Sequence, residues 1–159
     1  MTADAGAFNP AARAAIYLAT LDRCAGCGRP DLSAQHRRAR GMGGTSDVSI
    51  GHPANGVALC GGALAGVLGC HGWAERNPVP AELLGWRLAP GTPALGAPFY
   101  AYPWAEAWLA WEEDPLDNTP VVRFVDVEEE LDRRLLRLTT VSVLRANRPL
   151  MPVLAKPTR

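Results

Sequence analysis

The sequence predicts a small α+β fold in which two short strands and a helix are stapled by a metal, followed by a helical or irregular C-terminal extension. Two observations carry that expectation. Cys24 and Cys27 are separated by two residues, as in a metal-binding knuckle, and Cys60 and Cys70 follow later in the chain to complete a set of four thiolates. Between and around them lie two short apolar segments and one helix-forming segment, arranged strand, long loop, strand, helix. This organisation divides the chain into residues 1–79, an N-terminal helix and metal-stapled module, and residues 80–159, a Pro- and Trp-rich extension with an amphipathic helix and a basic tail.

Each element has a local reason. Asn9-Pro10 reads as an N-cap followed by proline at the first helical position, and residues 11–21 are rich in helix formers. Gly26 and Gly28 supply the backbone freedom that a knuckle around Cys24 and Cys27 needs. Leu32-Ser33-Ala34-Gln35-His36 forms a strand, and Gly41, Gly43 and Gly44 open a wide loop after it. Gly56-Val57-Ala58-Leu59-Cys60 is a second short apolar strand. Cys70 to Arg76 is a helix that ends at Asn77-Pro78, because the residue before proline avoids helical geometry.

The four cysteines admit two chemistries, a metal site or disulfides. Met1-Thr2-Ala3-Asp4 is not the basic-then-apolar start of a secretory signal, so a reducing compartment and a structural Zn²⁺ are expected. The chain has 159 residues, 48% of them hydrophobic, with no apolar run near the ~20 residues of a membrane span, and it reads as soluble and intracellular. Its formal net charge is zero. The charge is unevenly spread, however: Arg23, Arg29, Arg37, Arg38 and Arg40 crowd the cysteine and histidine region, while Glu112, Glu113, Asp114, Asp117, Asp126, Glu128, Glu129, Glu130 and Asp132 sit far downstream.

Gln35-His36, Gly43-Gly44, Asn55-Gly56-Val57-Ala58-Leu59-Cys60 and Cys70-His71-Gly72-Trp73 occur in an order that resembles the His-Asn-His (HNH) endonucleases, in particular small proteins of tailed bacteriophages. The resemblance spans about residues 20–90, and the Pro- and Trp-rich stretch to residue 111 is similar to the tail of actinobacterial phage members. It implies a treble-clef-like ββα-metal module stapled by a four-cysteine zinc, hydrolysing DNA phosphodiesters with a divalent metal (Mg²⁺, Mn²⁺, Ni²⁺ or Zn²⁺). It also implies work in a host cytoplasm beside phage terminase or portal machinery, away from membranes.

The same resemblance assigns roles. His36 matches the general base, and an imidazole with an ordinary pKa near 6.5 takes a proton from water at neutral pH. Asn55 matches the asparagine that fixes the base-carrying loop through backbone bonds, and Asn-Gly is also a plain turn dipeptide. His71 matches a ligand of the catalytic metal. Glu75, one helical turn on, is either a further oxygen ligand or a solvent-facing glutamate. Gln35 stands where Asp or His is usual, and its neutral amide implies a weaker metal site. Arg37, Arg38 and Arg40 are expected to clamp the phosphate backbone, and no base-reading helix is evident, so sequence specificity should be low. His52 reads as a loop histidine.

In the extension, Trp104, Trp108 and Trp111 have helical spacing and predict a helix face packed on the core. Residues 120–127 alternate weakly like a strand. Residues 127–138 carry Leu131, Leu135 and Leu138 on one helical face, and from Arg133 onward only basic charges occur. Two function classes follow: a metal-dependent DNA endonuclease, or a catalytically silent zinc module that binds DNA or a protein partner.

Overall fold

The structure is a computed structural model that describes residues 6–41, 45–61, 69–101, 105 and 107–125. The amphipathic segment 127–138, the basic tail, Gly43, Gly44 and Trp104 lie outside the described residues. The architecture is a small α+β fold with two antiparallel sheets.

Helix α1 (Pro10–Leu18) starts where Asn9 accepts a hydrogen bond from Ala12 N through its side chain, with Pro10 at the first position. Ile16, 1% exposed, turns its buried face toward the first sheet. That sheet pairs β1 (Leu32–His36) with β2 (Gly56–Cys60), in a register that sets Leu32 opposite Cys60 and His36 opposite Gly56. Every residue of β2 is buried, as expected of an all-apolar strand covered on both faces. Helix α2 (Cys70–Arg76) then packs on β2, and α3 (Pro78–Leu83) follows after one residue.

The extension departs from its predicted helical or irregular character. Its described part builds a three-stranded sheet from β3 (Phe99–Ala101), β4 (Ala107–Glu113) and β5 (Pro120–Val125), ordered β3-β4-β5. Trp108 and Trp111 therefore sit on a strand, not a helix. Trp108, Leu109, Ala110 and Trp111 are all buried, so β4 is covered on both faces and shows no two-residue alternation.

Residue 79 does not bound the core. Trp86, Phe99, Leu109 and Trp111 from the extension belong to the same apolar cluster as Ile16, Cys24, Leu59, Cys70 and Trp73. Trp86 meets Trp73 edge-on at 5.9 Å between ring centroids, and its indole N–H donates to Tyr100 O at 2.8 Å.

Candidate metal centre and histidine cleft

The knuckle, the end of β2 and the start of α2 bring four sulfurs to one point. The Sγ atoms of Cys24, Cys27, Cys60 and Cys70 all lie within 4.8 Å of one another, close enough to hold a metal ion. None is in a disulfide, and Cys27 and Cys60 stand 3.3 Å apart, far beyond the ~2.05 Å of a sulfur–sulfur bond. Gly28, at φ +76°, takes the left-handed conformation that turns the chain after Cys27. Backbone N–H groups point at the sulfurs: Gly26 and Cys60 donate to Cys24 Sγ at 3.3 and 3.1 Å, and Cys70 donates to Cys60 Sγ at 3.4 Å.

Without a cation the four thiols cannot all ionise. Cys24 is pushed up, chiefly by its hydrogen bond to Cys27, then that to Cys60, with burial adding to it. Cys70 is pushed up by its bonds to Cys24, Cys27 and Cys60. Cys60 and Cys27 go down, chiefly because each is hydrogen-bonded by Cys24. A divalent ion at the centre would relieve this competition by holding all four as thiolates.

Beside the cysteines, β1, the loop after it, α2 and the turn after α3 enclose a cleft of about 230 Å³. It is lined by Gln35, His36, Arg40, His71, Glu75 and Arg87, with Ala34, Ala39 and Gly41. The two histidines named from the sequence thus share one cavity.

His36 is held from the N-terminal side. Its Nε2 lies 2.8 Å from Gly6 O, and its ring stacks on Phe8 at 3.9 Å with 13° between the planes. A carbonyl can only accept, so Nε2 carries the hydrogen and the lone pair of the neutral ring is on Nδ1. His71 is held from the sheet side. Ser33 Oγ touches its Nδ1 at 2.6 Å and also Gly61 O at 2.8 Å and Leu59 O at 3.1 Å. Ser33 thus fixes the His71 ring to the end of β2, and His71 Nε2 faces Glu75 Oε1 at 3.4 Å. Burial lowers the His71 pKa from its ordinary value, opposed by the Glu75 carboxylate.

The remaining sequence-named residues separate. Gln35, 6% exposed, lines the cleft and donates through its side-chain amide to His36 O at 3.1 Å. Asn55 is fully buried; its Oδ1 accepts from Arg38 N at 2.7 Å, and its Nδ2 donates to Ile50 O at 2.9 Å and Arg38 O at 3.2 Å. It ties the exit of β1 to the chain entering β2. His52 caps the single turn Pro53–Asn55 by accepting from Ala54 N.

Among the arginines, Arg40 alone of the three expected phosphate clamps lines the cleft. Arg37 is 1% exposed, and its guanidinium donates to the carbonyls of Gly85, Ala54, Ala94, Ala97 and Pro98. Burial pushes its pKa down to about 9, so it remains charged at neutral pH, but its donors are spent inside the protein. Arg38 turns to a different depression, bonding Ser49 Oγ with Asp47 3.7 Å away. Arg87 lines the cleft instead, and sequence reasoning missed it, because only the turn after α3 brings it there. Ser33 was missed for a similar reason.

No family model, no curated protein and no solved structure matches the chain. No helix among the described residues is long and apolar enough to cross a membrane.

Proposed function

We propose that the chain is a metal-dependent DNA endonuclease of HNH type, its ββα core formed by β1, β2 and α2 and stapled by a structural zinc. The observation that supports this best is the shared cleft: His36 with its lone pair on Nδ1 and His71 with its Nε2 3.4 Å from the Glu75 carboxylate, beside the cysteine cluster. Four sulfurs at this spacing suit zinc, whose tetrahedral thiolate shell places neighbouring sulfurs about 3.8 Å apart.

A catalytic divalent ion would be held by His71 and Glu75, whose Nε2 and Oε1 stand 3.4 Å apart in the cleft. Gln35 would add a neutral oxygen, which makes for modest affinity. Such an ion would supply charge neutralisation for the scissile phosphate and the leaving oxygen.

The protein's own chemistry is then hydrolysis. His36 Nδ1 takes one proton from a water whose oxygen forms the new bond to phosphorus; the bond from phosphorus to the leaving sugar oxygen breaks, and that oxygen takes up a proton from solvent. Phe8 and the Gly6 carbonyl hold the imidazole in the required tautomer and plane. Asn55 orients the segment that carries His36 and does not react. The phage setting, beside terminase or portal machinery in a host cytoplasm, rests on the resemblance alone.

Gln35 favours a second reading, a silent zinc module that binds DNA or a protein. Plasmid cleavage by the purified protein in Mg²⁺, Mn²⁺ and Ni²⁺, beside His36→Ala, separates the two. The endonuclease reading requires cleavage that drops at least about 100-fold in the variant with zinc content and melting unchanged. Equal inactivity of both proteins in every metal would leave the silent module.

A further inference from the structure

We infer that Arg87 is the residue that grips the phosphodiester in the histidine cleft, a role the sequence assigned to Arg37 and its neighbours. The inference rests on the DNA-processing reading for its ligand and on the following geometry for its residue.

Arg87 lines the same cleft as His36, His71 and Glu75. Its Nε is shielded from water and has no hydrogen-bond partner among the described residues. A shielded, charged donor without an acceptor is costly, and folded proteins seldom keep one unless something else completes it. An anionic oxygen in the cleft would do so. The cleft also has the charge for it: among its described lining side chains, two arginines face one carboxylate, Glu75, before any metal is counted.

The backbone around Arg87 is fixed on both sides, which sets where its side chain leaves the main chain. Trp86 N and Arg87 N both donate to Ala81 O, at 2.9 and 3.1 Å, and the Trp86 ring is fully buried. Leu88 N donates to Arg37 O at 2.7 Å, while Arg37 Nε donates to Gly85 O at 2.7 Å. Arg37 thus brackets the turn from Gly85 to Leu88 and presents Arg87 at the end of β1, next to His36. Its planar fork suits a phosphate whose non-bridging oxygens gain charge as water attacks.

The test is salt-dependent binding of a short DNA duplex, followed by fluorescence anisotropy in Ca²⁺, together with cleavage kinetics in Mn²⁺. Wild type, Arg87→Ala, Arg87→Lys and the charge-matched control Arg123→Ala, on the far sheet, are compared. Losing one phosphate contact lowers the slope of log K against log salt by about 1. That drop is expected for Arg87→Ala and not for Arg87→Lys or Arg123→Ala. In cleavage, Arg87→Ala should lose about 100-fold in kcat with KM changed far less, and Arg87→Lys should regain part of it.

A slope for Arg87→Ala equal to wild type, in a variant with normal melting and metal content, overturns the inference and leaves the endonuclease reading standing. Should wild type bind DNA with the Arg87-dependent slope and never cleave it, the phosphate site stands and the endonuclease reading falls. No DNA binding by wild type at any salt overturns both.

Discussion

Arg37 donates from all three guanidinium nitrogens to five backbone carbonyls that belong to the chain before β2 and to the turn and loop between α3 and β3. Those carbonyls have been withdrawn from water, and no shorter or singly pointed donor reaches all of them. Phe99 lies beneath, with its ring centroid 5.4 Å from the guanidinium carbon, which adds a cation–π contact. Arg37→Met therefore leaves several buried acceptors unpaired and should cost at least about 3 kcal/mol, with Arg37→Lys recovering only a minor part. Urea denaturation measures this. Were Arg37 a DNA clamp, the same substitution would weaken DNA binding and leave stability within about 0.5 kcal/mol of wild type.

Between elements, the tightest joint is Gly85, which carries φ +67° at the end of α3. A Cβ there would stand 2.1 Å from Pro98 O, so Gly85→Ala meets both a disfavoured backbone conformation and a clash with main chain. Gly91 has φ +81° with open space around it and isolates the first effect. Gly91→Ala should cost about 1 kcal/mol and Gly85→Ala about 3 kcal/mol or more, read from paired thermal melts. Equal losses would mean that the 85–98 contact yields easily. The sequence was legible wherever local chemistry decides the outcome: the Asn9 cap, the strands Leu32–His36 and Gly56–Cys60, and the helix Cys70–Arg76 all form with the bounds read from it. Helix α3 was not, since Pro78 and Pro80 read as breakers. Both lie in the first turn, where backbone N–H groups have no helical partner to lose. Strand β4 was hidden because burial of both faces erases its alternation and leaves two tryptophans three residues apart. The site follows the same division. Cysteines and histidines announce themselves by type and spacing, whereas Arg87 and Ser33 acquire their positions only through tertiary contacts.

For the molecule as a whole, the decisive fact is that three of the four cysteines are also core residues. Cys24, Cys60 and Cys70 are buried in the cluster that holds Trp73, Trp86 and Trp111, so the metal site and both sheets share one interior. If the cluster holds the proposed zinc, removing it leaves four thiols that cannot all be charged together in that interior, and the loss should spread to the second sheet. Chelation should then unfold the protein in one transition, with tryptophan fluorescence and far-ultraviolet circular dichroism falling together, and Cys60→Ser should reproduce the chelated state. Acid should do the same by a calculable route. A bound ion would hold the thiols below their ordinary pKa, so the stability that it adds would be greatest at high pH and lost as protons compete for the sulfurs on acidification. Cys24 and Cys70, pushed up in the metal-free cluster, would give up protons when the ion enters, and metal affinity should climb with pH. A second sheet that kept its tryptophans folded after chelation, or a melting temperature indifferent to metal between pH 5 and 8, would mean that the extension folds independently of the metal centre.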